Sequence, residues 1–157
     1  MMLYHGSNVD IEAIDLTRSR PNKDFGQGFY LTADKEQALR MAQQKVLQSG
    51  GTPVVNAYEF DEAHLTDQTV RVKFFEGYTE EWAQFILSNR NRRTQERQHD
   101  YDIVVGAIAD DKVGVQLFRF MKEYIDLPTL VRKLQYIQLT IQYYFGTEKA
   151  IKLLKKL

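Results

Sequence analysis

Apolar and polar positions change period several times along this chain, and each change marks an element. Met2 to His5 predicts a short first strand, stopped by Gly6. Ile11 and Ile14 read as anchors for the loop that follows, and Arg18 to Asp24, with Pro21, predicts polar loop. Phe29, Tyr30 and Leu31 predict a second strand. Thr32 or Asp34 then caps a helix from about Asp34 to Leu47, with Ala38, Leu39, Ala42 and Val46 as its apolar stripe and Gly50-Gly51 as its end. From Pro53 to Phe60 the period returns to two, with Val55 and Ala57 opposite Val54, Asn56, Tyr58 and Phe60. Thr69 to Phe74 alternates again, setting Val70, Val72 and Phe74 against Arg71 and Lys73.

Gly77 and Thr79 open a helix with Glu80 and Glu81 in its first turn, where the dipole favours acids. Trp82, Phe85, Ile86 and Asn89 share one face, and the helix ends near Arg90. Tyr101 to Val105 predicts a buried strand, stopped by Gly106. Val113, Leu117, Phe120, Met121 and Tyr124 predict a further helix. Asp126 caps the next, with Pro128 in its first turn and Leu130, Leu134 and Ile137 buried. Leu139, Ile141, Tyr143 and Phe145 alternate with Gln138, Thr140, Gln142 and Tyr144, which predicts a strand with one apolar and one polar face. Gly146-Thr147 caps a last helix whose lysine-rich end complements the dipole.

The count is five or six short strands and four or five helices, with several connections too short for repeated crossovers. That predicts an α+β domain with a largely antiparallel or mixed sheet, not a doubly wound one. A chain of 157 residues fits a single domain spanning 1–157. Lys+Arg and Asp+Glu are equal at 21 each, so no overall field draws the chain to nucleic acid or membrane. The absence of cysteine excludes disulfides and thiol chemistry. The histidines at 5, 64 and 99 lack zinc-binding spacing. The first residues show no signal peptide or span, which makes a cytoplasmic protein without membrane contact the expectation, export by a specialised system aside.

Candidate chemistry gathers at Lys23-Asp24-Phe25-Gly26-Gln27-Gly28-Phe29-Tyr30-Leu31-Thr32. Two glycines let a backbone approach a ligand, and an aromatic strand follows, which suits a concave site or a tight turn feeding a core strand. His5-Gly6-Ser7 sets an imidazole beside flexible backbone and a hydroxyl. Arg90, Arg92, Arg93 and Arg97 form a basic run that suits phosphates or a solvated helix end. Asp110-Asp111 suits a cation or a helix start.

His5, Tyr30 and Gln142 stand on three separate predicted strands, in an order that resembles the ADP-ribosyltransferase superfamily in its His-Tyr-Glu or His-Tyr-Gln branch. The chain is similar to a group of small bacterial proteins of unassigned function placed there. The likeness runs through Leu3-Tyr4-His5-Gly6-Ser7, the Lys23–Thr32 stretch, Gln37-Ala38, Glu81-Trp82, Phe85-Ile86, Asn89-Arg90, Tyr101–Val104, Gly106–Asp111, Gln142 and Thr147–Ala150. The resemblance implies a split antiparallel or mixed sheet surrounded by helices, with NAD as substrate in the cleft. It implies that His5 bonds the ribose of the nicotinamide half, Gly6 offers backbone to the amide, Tyr30 stacks on the nicotinamide ring and Thr32 supports the second strand. Ser7, Gly28, Arg20 and Arg90 join the implied NAD site, with Arg18, Arg20 and Arg90 as candidates for the pyrophosphate. Transferases of the superfamily often carry glutamate at the third position. Gln142 keeps a hydrogen bond there but brings no charge. Asp24, Glu80, Glu81 and Glu148 are other carboxylates without a positional assignment, and Lys23 and Asp24 lie on a loop that closes over NAD or the acceptor.

The implied activity is mono-ADP-ribosyl transfer, a glycosyltransferase reaction. The acceptor is an unknown macromolecule, protein or nucleic acid. The implied setting is a bacterial toxin or defence effector, restrained by a small antitoxin or immunity protein. An NAD glycohydrolase and a noncatalytic NAD or ADP-ribose binding module are the alternatives.

Overall fold

The computed structural model describes all 157 residues. In chain order the strands and helices are β1 (Met2–Ser7), β2 (Phe29–Leu31), α1 (Lys35–Ser49), β3 (Val54–Phe60), β4 (Val72–Phe74) and α2 (Glu80–Asn89). Then come β5 (Ile103–Ala107), α3 (Asp111–Met121), α4 (Leu127–Leu134), β6 (Ile141–Phe145), α5 (Glu148–Ile151) and β7 (Leu154–Lys156). Short 3-10 turns occupy Leu16–Arg18 and Glu62–Leu65. The fold is mixed α+β with two sheets and five helices. No helix is long and apolar enough to cross a membrane.

One sheet has the order β1-β3-β7, and the other β2-β6-β5-β4. All pairs are antiparallel except β4 with β5. Period two on β1 and β3 sends Leu3, Tyr58 and Phe60 toward the second sheet, where they join Phe29, Leu31, Ile103, Val105 and Phe145 in one buried cluster. The opposite face of β1 and β3 receives α1. On the far side of the second sheet, Val104 and Tyr144 pack with Phe25, Trp82, Ile86, Leu117, Leu130 and Leu134. The second sheet is thus covered on both faces, and all of β5 is buried.

The helix caps follow from side chains that the sequence places before each helix. Asp34, Thr79, Asp110, Asp126 and Thr147 each accept a first-turn backbone N–H. Asp110 is spent in this way, and no cluster of three metal-ligating side chains forms.

Four expectations change. The polar face of β6 is not solvated: Tyr144 and Gln142 are buried because α2 and its neighbours cover that side. The strand expected from Thr69 is only Val72–Phe74, and Phe74 is exposed while Phe75 is buried. Met121 and Tyr124 lie exposed beyond the buried stripe of α3. The lysine-rich end is β7 and not helix. Lys155 and Lys156 pair across to Glu59 and Asp10, which a dipole reading of the sequence could not supply.

Candidate functional site

Tyr4 and Thr32 exchange both backbone hydrogen bonds, at 2.8 and 2.9 Å, and this bridge joins the two sheets. Beyond it β1 pairs with β3, and β2 pairs with β6, so the strands part. His5 and Tyr30 sit at the fork. His5 Nδ1 lies 2.7 Å from the Tyr30 carbonyl oxygen. A carbonyl oxygen only accepts, so Nδ1 carries the proton and Nε2 keeps its lone pair without a protein partner. The Phe29 ring stacks on the imidazole at 4.4 Å between centroids, which fixes its plane. Burial lowers the His5 pKa, with smaller contributions from the Lys23 and Lys45 charges, against the Tyr30 carbonyl that raises it. At neutral pH the group is therefore an acceptor at Nε2.

The Tyr30 hydroxyl donates to the Gly26 carbonyl at 2.5 Å and accepts from the Phe25 N–H at 3.0 Å. Burial holds its pKa well above the usual value, so it remains a phenol. Tyr144 packs against the ring edge-on at 5.3 Å. The Lys23 ammonium stands over the ring, 5.1 Å from its centroid. Burial lowers the Lys23 pKa, helped by Arg20 and Lys45 and opposed by Asp24.

Asp24, next in the chain, reaches the third candidate. Its Oδ1 accepts from Arg90 Nε at 2.7 Å and lies 2.6 Å from Nη2 as an ion pair. Its Oδ2 accepts from the Ala109 N–H at 3.2 Å and lies 3.5 Å from Gln142 Nε2. Gln142 Nε2 also lies 3.4 Å from the Ala107 carbonyl, which takes the Trp82 indole N–H at 3.1 Å. Tyr30 and Gln142 are thus linked through two consecutive side chains, Lys23 on the tyrosine ring and Asp24 on the glutamine amide, and His5 joins them through the Tyr30 carbonyl.

Polar ties hold that segment. Asn22 Nδ2 reaches the carbonyls of Asn91 and Thr94, both at 3.0 Å, and of Asn89 at 3.4 Å. His99 accepts the Tyr101 N–H at Nδ1, so its Nε2 donates to the Phe25 carbonyl at 2.7 Å. His99 is a brace for the loop, and His64 pairs with Asp67 on the surface. A polar cavity of about 260 Å³ lies beside Gly26, Gln27, Asn89, Arg97 and His99. It does not include His5, Tyr30 or Gln142.

The remaining sequence candidates divide by what holds them. A Cβ on Gly6 would stand 2.0 Å from the Ala38 carbonyl oxygen and 2.7 Å from the Ala42 nitrogen, so close helix packing accounts for this glycine without a ligand. Gly28 likewise gives way to the Tyr144 ring, 2.2 Å from its would-be Cβ. Ser7 is buried and its Oγ accepts from the Val9 N–H at 3.4 Å. Thr32 Oγ1 donates to Gln37 at 2.8 Å and accepts from the Asp34 N–H, which ties β2 to α1. Arg20 is exposed beside Lys23 and makes no ion pair. Arg97 binds the carbonyls of His99, Tyr101 and Gly146. With Arg90 also committed, Arg92 and Arg93 are the exposed remainder of the basic run.

Asp24 and Gln142 are separated by 118 positions, and no spacing in the sequence points one at the other. The signal that was present is Asp24 directly before the Phe25-Gly26-Gln27-Gly28 turn, whose path carries it into the fork.

No curated protein and no solved structure matches the chain. A family model described as "Protein of unknown function (DUF3990)" matches residues 1–156, nearly every position that builds the two sheets and the fork between them, and the chain belongs to that family.

Proposed function

We propose that the chain is an NAD-dependent mono-ADP-ribosyltransferase, with the ADP-ribosyltransferase-like split sheet as its scaffold. The observation that carries this reading is the fork: a neutral imidazole with an unpartnered Nε2 is bonded to the backbone carbonyl of a tyrosine whose ring face already holds a cation. The nicotinamide ring of NAD is a flat cation, so it suits the place that Lys23 occupies over Tyr30. His5 Nε2 accepts from a ribose hydroxyl. Gln142 is a buried amide whose Oε1 is without a protein partner and so suits a second hydroxyl. Arg20 and Arg90, with Lys23 once it has moved, supply cations for the pyrophosphate.

For NAD to enter, the Lys23 side chain swings off the ring. Positioning the acceptor in line with the nicotinamide–ribose bond then supplies much of the rate. The acceptor is a macromolecule, and water in its place gives NAD glycohydrolase activity from the same residues.

The test is nicotinamide release from NAD by purified protein, with and without cell extract, beside folded His5→Ala and Tyr30→Ala variants. Release that depends on extract and drops by about 10²–10³-fold in both variants supports the transferase, since each removes a positioned contact. Release without extract identifies the glycohydrolase. Binding of NAD with no release in either condition overturns the enzyme and leaves a binding module.

A further inference from the structure

We propose that Asp24 is the carboxylate that stabilises the reacting ribose, working beside Gln142. This rests on the reading of the fork as an NAD site, and the requirement comes from the reaction. As the C1′–N bond of NAD breaks, both electrons leave with the nicotinamide nitrogen, which becomes neutral. The ribose is left as an oxocarbenium cation. A lone pair of the acceptor, or of water, then forms the new bond at C1′, and the acceptor's proton passes to solvent. A negative charge near that ribose lowers the barrier more than a neutral dipole does.

Neither His5, Tyr30 nor Gln142 brings such a charge. Asp24 is the acid whose carboxylate touches this group: Oδ2 lies 3.5 Å from Gln142 Nε2 and takes the Ala109 N–H at 3.2 Å. Its side chain is only 15% exposed, so its field is weakly screened. Both Arg90 contacts fall on Oδ1, which leaves Oδ2 turned toward Gln142. Arg90 balances the carboxylate in the substrate-free protein. Its side chain is 32% exposed, and its Nη1 is not among the donors to Asp24 or Ala109, so a pyrophosphate can share the guanidinium. As the phosphates draw on Arg90, more of the Asp24 charge acts on the ribose. Lys23 and Asp24 thereby divide the work of one short segment, the first vacating the tyrosine ring and the second remaining at the amide.

The experiment measures turnover of nicotinamide release and, separately, NAD affinity by calorimetry in wild type, Asp24→Asn, Gln142→Glu and the double variant. Asp24→Asn keeps the size and one acceptor oxygen, removes the charge, and is expected to lose about 10²–10³-fold in kcat with NAD affinity within threefold. Asp24→Asn with Gln142→Glu, which returns the charge one contact away, is expected to recover at least tenfold. A merely structural Asp24 would give no such recovery. Gln142→Glu alone sets two carboxylates together, with Arg90 from α2 and Lys23 from the same segment as the facing cations. One of the two then titrates higher, and the acidic limb of the kcat profile moves to higher pH. That arm decides the matter if Asp24→Asn fails to fold: an unchanged profile overturns the proposal. Full turnover in Asp24→Asn overturns it while leaving the transferase reading intact. A wild-type protein that releases no nicotinamide overturns both.

Discussion

His5 and His99 carry the sharpest residue-scale consequence of burial. Burial is the largest cause of a lowered pKa in both, from an ordinary value of 6.5. Between the folded and unfolded values the unfolded chain binds more protons, so stability rises with pH across that window. It is fully present above about 6.5 and declines as pH falls below the unfolded value. The urea midpoint is therefore expected to drop between pH 7 and pH 5, and the two imidazoles to titrate below 6.5 by NMR. Titration of either above that value would contradict burial as the dominant influence on it. Gly6 gives a second test. Because a Cβ would meet α1 backbone and not a flexible side chain, Gly6→Ala is expected to cost about 1–3 kcal/mol in chemical denaturation. An unchanged midpoint would mean that α1 can back away from β1.

At the scale of elements, the loop before β2 is tied by polar contacts of Asn22, Asp24 and the Phe25 carbonyl to α2 and the stretch that follows it, while the Phe25 ring anchors its end in the core. Such ties are exchangeable with water, which suits local movement of the stretch around Asn22 and Lys23. Asn22→Ala removes three of them and is expected to speed backbone hydrogen exchange at residues 22–28 while leaving β5 protected. Equal acceleration in β5 would show that the segment does not move by itself. Arg90→Ala strands the Asp24 carboxylate with only neutral donors. A fully buried pair broken in this way costs about 3–5 kcal/mol, and the part exposure of Arg90 puts the expected loss near the lower figure. Arg90→Ala combined with Asp24→Ala should cost less than the sum of the two, which a double-mutant cycle reads directly. Additivity would mean that the ion pair contributes nothing.

Across the whole molecule, the second sheet couples the two apolar clusters, because β5 and β6 supply side chains to both. Unfolding is expected to be a single transition. Trp82 is the one tryptophan and reports on the cluster under α2. Its fluorescence should follow the same denaturation curve as circular dichroism. Leu3→Ala, in the other cluster, should cost about 2–5 kcal/mol and shift the Trp82 transition with it. A Trp82 signal indifferent to Leu3→Ala would separate the clusters into independent units.

Local patterning determined much of this protein by itself. Spacing of 3.6 and 2, together with Asp34, Thr79, Asp110, Asp126 and Thr147 ahead of their helices, located nearly every element, because caps and periodicity act within a turn or two of chain. His5 and Tyr30 were legible as residue types at strand positions, and Gln142 became a candidate only through the family resemblance. Tertiary structure alone decided the rest. The sequence pattern left the polar side of β6 facing water, and only the helices packed over it bury Gln142 and Tyr144. The lysines at 155 and 156 suited a helix end until Glu59 and Asp10 were brought opposite them. Lys23 meets Tyr30, and Asp24 meets Gln142, because the two sheets part at Tyr4 and Thr32 and a loop falls into the opening. A contact across 118 residues has no local signature, since it depends on the path of everything between.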